Sequence, residues 1–186
     1  MKPETNSLGR VSVVTGPARS GKSEWAETLA MHSGKSVIYV ATAQVDPVDK
    51  EWLFRIEQHR CRRPRDWVTL EVPHQLVETI ETAPQNRCLV VDSLGTWVAN
   101  MLEQDDSSWE GTVQNLILSL EQVACDVILV AEETGWGVVP AYTIGRTFRD
   151  RLGSLVRRSG AIANPVYLVT GGHVLNLSAL GSPLPT

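Results

Sequence analysis

The fold is decided by residues 11–23, which read VSVVTGPARSGKS. A short apolar strand candidate leads directly into residues 16–23, which fit the pattern G-x-x-x-x-G-K-[ST] at every fixed position. The glycines let the backbone curl until its N–H groups converge on phosphate oxygens, and the N-terminus of the following helix favours negative charge. We expect Lys22 to reach the β- and γ-phosphates and the Ser23 hydroxyl to bind Mg²⁺. The stretch therefore predicts a nucleoside triphosphate site between a strand and a helix.

Outward from this loop, short apolar runs alternate with helical patterns. The strand candidates are unbroken apolar runs, centred on residues 37–40, 88–91, 127–130 and 166–169. Between the last two runs, a helix candidate carries on its inner face Ile144, Phe148, Leu152 and Leu155. Strands that are apolar throughout are typical of a parallel sheet covered by helices on both faces. We therefore predict a doubly wound α/β fold.

The length and composition favour one ordinary globular domain. The chain has 186 residues, 42% of them hydrophobic and 20% charged, and no apolar run approaches the roughly 18 residues that cross a bilayer. The net charge of −4 argues against a protein that coats nucleic acid. Three cysteines at unrelated spacings indicate neither a disulfide framework nor a metal site, and no secretion signal is visible, so we expect a cytoplasmic protein. We place the domain at residues 10–180 and expect residues 1–9 and 181–186 to be loose.

Asp92 is a candidate for the chemistry because of its place in the pattern. It follows directly after the apolar run Cys88–Val91. The Walker B carboxylate of P-loop enzymes stands at the end of such a strand and acts on Mg²⁺ or on its water. An aspartate that caps the next helix fits the same place, so the pattern leaves both roles open.

His59 is a second candidate, on weaker grounds. Glu51, Arg55 and His59 are four residues apart and would share one face of a helix. Cationic neighbours disfavour protonation of an imidazole and can hold a polyphosphate, and the histidine is followed by Arg60, Arg62, Arg63 and Arg65. The spacing alone favours a surface or capping histidine beside a solvated basic patch. It does not decide between that role and a nucleophile.

Taken together, six blocks in this order resemble one enzyme family. They are GPARSGKS (16–23), ATAQ (41–44), RIEQHRCRRPRDWVTLE (55–71), VVDSLGTWVANML (90–102), EETGWGVVP (132–140) and GRTFRDRLG (145–153). The family is the bifunctional adenosylcobinamide kinase / adenosylcobinamide-phosphate guanylyltransferase of cobalamin biosynthesis. The resemblance runs from Val11 to about Val169, and the histidine and G-x-G-[IV]-V-P blocks are more specific than the phosphate loop.

The resemblance implies a RecA-like P-loop fold, a homotrimer and two reactions. The enzyme first phosphorylates a hydroxyl of adenosylcobinamide with GTP or ATP. It then transfers GMP from GTP to that phosphate through a guanylylated histidine, giving adenosylcobinamide-GDP and pyrophosphate. The family's histidine falls on His59, where a neutral imidazole beside arginines suits attack on an α-phosphate. The expected catalytic residues are then His59, Lys22 and Asp92, with Mg²⁺ on Ser23 and Asp92.

The same resemblance implies the nucleotide contacts and shows where this chain departs from the family. The contacts fall on Gly16, Pro17, Ala18, Arg19, Ser20, Gly21, Lys22, Ser23, Thr42, Ala43, Gln44, Arg60, Cys61, Arg62, Arg63, Glu71 and Asp92. The family usually has Asn where this chain has Glu132, and tends to have Asn-Gln where this chain has Val156-Arg157. Both departures lie outside the phosphate loop and the histidine block, so we expect them to bear on corrinoid or subunit contacts.

Two other interpretations remain open. One is a plain P-loop kinase for small molecules, in which His59 only contacts phosphate and no covalent step exists. The other is a regulatory P-loop protein that binds nucleotide to switch a partner surface. The sequence carries no N-K-x-D guanine signature, so the preference for GTP depends on the resemblance alone.

Overall fold

The structure is a computed structural model that describes residues 8–45 and 47–184, with the side chains of Trp52, Arg55 and His59 outside the description. Helices and strands alternate along most of the chain. In order they are β1 (Val11–Gly16), α1 (Lys22–Met31), β2 (Ser36–Ala41), α2 (Lys50–Arg62), β3 (Val68–Glu71), α3 (Leu76–Glu81), β4 (Arg87–Asp92), α4 (Leu94–Asn100), α5 (Asp106–Glu121), β5 (Asp126–Glu132), α6 (Thr143–Ile162), β6 (Val166–Thr170), β7 (His173–Asn176) and α7 (Leu177–Leu180).

The strands form one sheet in the order β3-β2-β4-β5-β1-β6-β7. All neighbours are parallel except β6 and β7, which pair antiparallel at the edge. The mainly parallel α/β sheet expected from the apolar runs is confirmed. Those runs do not predict β7, because its four residues, His173–Asn176, are exposed or only partly buried and carry no apolar run.

Helices cover both faces of the sheet, as the sequence predicts. Alternate strand residues point to opposite faces. Val14, Val90 and Val130 pack with Ala26 and Ala30 of α1 on one face. The neighbouring strand residues pack on the other face against α3, α4, α5 and α6. On α6, Leu152 and Leu155 are fully buried and Phe148 is half-buried, but Ile144 is 63% exposed, so its inward placement was wrong.

The predicted domain limits stay a prediction, since residues 1–7, 185 and 186 lie outside the described part. Gly9 belongs to the packed structure: its N–H donates to the Val123 carbonyl at 2.8 Å, and an added Cβ would lie 1.7 Å from the Cys125 carbonyl oxygen. No helix among the described residues is long and apolar enough to span a membrane.

The parallel pairing brings the phosphate loop and Asp92 to the same edge of the sheet. Gly16 lies in register with Glu132, and Ala41 lies in register with Asp92. These are the carboxyl ends of β1, β5, β2 and β4, where open α/β sheets bind their ligands.

Candidate active site

The phosphate loop curls tightly between β1 and α1. Arg19 (φ 58°) and Gly21 (φ 92°) both adopt left-handed backbone conformations, which is uncommon for a residue with a side chain. Gly16 must lack a side chain, because a Cβ there would lie 2.3 Å from the Val169 carbonyl oxygen. Gly21 is the N-cap of α1, and a glycine has no side chain that could occupy the N–H groups of the first turn. N–H groups and a helix dipole in this arrangement favour the binding of phosphate.

The polar side chains of this region fit a triphosphate and a magnesium ion. Lys22 is only 9% exposed, and its Nζ makes one long contact, 3.4 Å, with the Pro17 carbonyl. Among the described side chains, the hydroxyls of Thr15 and Ser20 are buried without a hydrogen-bond partner, which is costly unless a ligand supplies one. Ser23 follows Lys22 in the first turn of α1, and α1 packs against β4, the strand that ends at Asp92. A hydroxyl and a carboxylate are the hard oxygen donors that Mg²⁺ prefers.

Asp92 does not cap the next helix. The cap of α4 is Ser93, whose Oγ accepts from the Thr96 N–H at 3.2 Å, while the Thr96 side chain contacts the Ser93 N–H. The Asp92 Oδ2 instead accepts from the Tyr39 hydroxyl at 2.5 Å. Burial and the neighbouring Asp92 carboxylate raise the pKa of Tyr39 well above its ordinary value of 10.0, so this phenol stays a donor. Because Ser93 caps α4, the helix-capping role that the sequence left open for Asp92 is wrong.

A polar network joins β5, β2 and the start of α4. Glu132 accepts from the Ser93 hydroxyl at 2.6 Å and from the Gly95 N–H at 3.0 Å. Thr42 is fully buried, and its hydroxyl accepts from the Ser93 N–H at 2.8 Å and donates to the Ser93 carbonyl at 2.6 Å. The N–H of Glu133 donates to the Gly16 carbonyl at 2.8 Å, which ties the same strand end to the phosphate loop. The sequence marks Glu132 only as a departure from the family, and gives no sign that it holds the turn after Asp92.

Two arginines after His59 contact the same region. Arg62 at the end of α2 lies 3.4 Å from Glu27 of α1, and the Arg63 guanidinium stacks 3.8 Å from the centre of the Tyr39 ring. Burial raises the pKa of Glu27 above its ordinary value of 4.5; Arg62 opposes this shift and the Asp92 carboxylate adds to it. We call Glu27, Tyr39, Arg62, Arg63 and Asp92 the arginine–carboxylate cluster. Through it, the end of α2 meets the phosphate-loop helix and Tyr39 of β2, which bonds to Asp92 at the end of β4.

The remaining predicted residues, apart from His59, lie in less enclosed positions. His59 belongs to α2 by its backbone, and its side chain is outside the described part. Arg60 and Cys61 are exposed and both approach Glu57, at 3.8 and 3.6 Å. Ala43 and Gln44 follow β2 at the carboxyl edge, where they are half-buried and exposed, and Glu71 ends β3 as an exposed residue. The structure thus groups the phosphate loop, Thr42, Asp92, Arg62 and Arg63, and leaves Gln44, Arg60, Cys61 and Glu71 on its surface.

The chain is similar to several known proteins. Residues 12–177 match the model of a family described as cobinamide kinase / cobinamide phosphate guanyltransferase. The bifunctional adenosylcobalamin biosynthesis protein CobP of Pseudomonas aeruginosa is 41% identical over 175 residues, which is 93% of this chain and 95% of that protein. The corresponding protein CobU of Escherichia coli K12 is 36% identical, over 86% of this chain and 95% of its own. A solved ATP synthase subunit, NeqB from Nanoarcheaum equitans, is 12% identical with a TM-score of 0.55 over 94% of this chain and 54% of that one, a likeness of fold alone.

Proposed function

The chain belongs to the cobinamide kinase / cobinamide phosphate guanyltransferase family, and from that membership we propose how its residues divide the two reactions. Its activities are those of the family: a kinase that acts on cobinamide and a guanyltransferase that acts on cobinamide phosphate. Neither the plain kinase nor the nucleotide-gated regulator accounts for the second activity.

For the kinase reaction, we assign the triphosphate to the loop Gly16–Ser23. The backbone N–H groups and Lys22 hold the β- and γ-phosphates, and Ser23 and Asp92 supply oxygen ligands for Mg²⁺. When bound, Mg²⁺ neutralises charge on these phosphates. The γ-phosphoryl group passes to the cobinamide hydroxyl. The new P–O bond forms as the bond from the γ-phosphorus to the β–γ bridging oxygen breaks, the nucleoside diphosphate leaves, and the hydroxyl proton passes to solvent. The buried amine of Lys22, whose one hydrogen bond to a described residue is the long contact with Pro17, supports this assignment.

For the guanylyl reaction, we propose that His59 is the nucleophile. A ring nitrogen of His59 bonds to the α-phosphorus of GTP while the bond to the β-phosphate oxygen breaks, and pyrophosphate leaves. A phosphate oxygen of cobinamide phosphate then attacks the same phosphorus and releases the histidine. One observation carries this proposal: Arg62 and Arg63, three and four residues after His59, tie the end of its helix to α1 and to Tyr39 beside Asp92. The helix of His59 therefore ends beside the helix that follows the phosphate loop.

The nucleotide choice and the assembly belong to the same proposal. We propose GTP or ATP for the kinase reaction, GTP for the guanylyl reaction, a homotrimer, and a cytoplasmic location. These statements depend on the family resemblance and on the sequence.

The covalent step has a direct test. Purified protein is incubated with Mg²⁺ and GTP labelled at the α-phosphate, denatured, and examined for bound label. We expect acid-labile, base-stable label on the wild type and on His74→Ala, a matched substitution of an exposed histidine, but none on His59→Ala. An unlabelled wild type that still binds nucleotide would contradict the covalent step.

A further inference from the structure

The described side chains of the helix that carries His59 lack the burial that fixes most helices in place. Every described residue of α2 is exposed or half-buried, and Phe54 is 63% exposed. Most helices in proteins owe their stability to packing of an apolar face. The described side chains of α2 therefore hold its orientation mainly through polar contacts with the rest of the domain.

Arg62 makes two such contacts with the phosphate-loop helix, and they differ in burial. Its Nη1 lies 2.7 Å from Glu24, whose side chain is 63% exposed, and its Nη2 lies 3.4 Å from Glu27, whose side chain is 9% exposed. Exposed ion pairs contribute little, whereas removing one partner of a buried pair leaves an uncompensated charge. The Glu27 contact is therefore the one with consequences for the position of α2.

Glu27 also lies where it can fix the position of α2 relative to α1. It lies four residues after Ser23 on α1, so the two residues share a helix face. A guanidinium that binds Glu27 is thereby held at a fixed position relative to the first turn of α1, where the triphosphate binds. Arg62 lies three residues after His59, less than one helical turn away.

We propose that Glu27 is a positioning residue for guanylylation: by binding Arg62 it holds the last turn of α2 against the phosphate-loop helix, and so places His59 for attack on the α-phosphate. The inference rests on the proposed role of His59. Glu27 takes no part in the bond changes. Its effect is on the position of His59, and a misplacement of a reacting group by about 1 Å costs on the order of 100-fold in rate.

A different role for Glu27 makes a different prediction. Its carboxylate interacts electrostatically with Asp92, and the alternative is that Glu27 serves the magnesium site directly. In that case its loss would slow both reactions, since both need the bound triphosphate. A residue that acts through Arg62 slows only the reaction that uses His59.

The experiment compares Glu27→Gln, Arg62→Gln, the double variant and Glu110→Gln. Glu110 is the matched control, because it pairs with Arg158 at 2.7 Å between α5 and α6 with its side chain 64% exposed. The assays measure the maximal rate of α-label incorporation, the GTP concentration at half-maximal rate, and γ-label transfer to cobinamide. For Glu27→Gln we expect labelling slower by roughly 10- to 100-fold, with little change in half-saturating GTP or in γ-transfer. The double variant should label no more slowly than Arg62→Gln.

The outcomes separate the inference from the proposed function. Labelling of Glu27→Gln at the wild-type rate, an equal loss of both reactions, or additive effects in the double variant would overturn the inference and leave His59 as nucleophile. A wild type that takes no label would overturn both. Nucleotide binding and the thermal unfolding midpoint report whether each variant folds. If Glu27→Gln does not fold, Glu27→Asp, which keeps the carboxylate but draws it back by one methylene, carries the same expectation.

Discussion

The carboxyl edge of the sheet and helix α2 are built in opposite ways. At the edge, β1 and the inner parts of β4 and β5 are buried, and Glu132, Thr42 and Ser93 close a network of short hydrogen bonds. In α2 none of the described residues is buried, and ionic contacts join its last turn to α1. The difference indicates that the core preorganises the edge to which we assign phosphoryl transfer, whereas ionic contacts at its last turn hold the helix of the proposed nucleophile, His59.

The largest expected effect is that of Lys22→Ala, which tests whether both reactions share the edge site. Loss of this buried cation removes charge stabilisation from the β- and γ-phosphates, and we expect both reactions to slow by roughly 100- to 1,000-fold. The measurements are γ-transfer to cobinamide and α-label incorporation.

Lys35→Ala is the matched control, because Lys35 pairs with Asp126 at 3.0 Å and precedes β2, at the opposite edge of the sheet. If Lys22→Ala slowed only one of the two reactions, the shared site would be disproved.

A second substitution tests the rigidity of the edge. Glu132→Ala removes the acceptor of the Ser93 hydroxyl and of the Gly95 N–H. Leaving such donors unsatisfied costs about 1–3 kcal/mol, and we expect the free energy of unfolding in urea to fall by that amount. Glu133→Ala is the control, since among the described residues the Glu133 side chain accepts a hydrogen bond only from the exposed Gly135 N–H. The free energy of unfolding of this variant should stay within about 0.5 kcal/mol of wild type. Equal losses in the two variants would show that the network does not stiffen the edge.

The smallest expected effect is a pH dependence of stability at Glu27, which contacts the last turn of α2. The pKa of Glu27 is raised in the folded protein, mainly by burial, so in the range just above its ordinary value of 4.5 the folded state binds more protons at this site than the unfolded state. Stability must then fall as pH rises through that range. We expect the unfolding free energy of wild type relative to Glu27→Gln to decrease as the pH is raised from about 4.5, measured by urea titration at several pH values. A difference that stays constant with pH would mean that burial does not control this carboxylate.

The parts predicted from sequence are those whose chemistry is local. The spacing from Gly16 to Ser23 specifies a backbone shape by itself, and apolar runs identify buried strands wherever a sheet has two covered faces. Periodicity identifies the apolar face of α6, but it does not show how far along the helix the rest of the protein covers that face. The pattern therefore predicts an inward Ile144, which is exposed in the structure.

Contacts between residues far apart in the chain could not be predicted from the sequence. Arg62 was expected to hold phosphate, and its place against Glu27 depends on a residue 35 positions earlier. The bond from Gly95 to Glu132 spans 37 positions and leaves no trace in local spacing. The role of His59 likewise came from resemblance, since its spacing favoured an ordinary surface histidine.

The most direct test of the account is to separate the two reactions with one variant. His59→Ala is assayed for γ-transfer to cobinamide and, independently, for GMP transfer to supplied cobinamide phosphate. The account predicts γ-transfer within a few-fold of wild type and no measurable GMP transfer. GMP transfer by the variant, or loss of both reactions to the same degree, would contradict the division of labour between the sheet edge and α2.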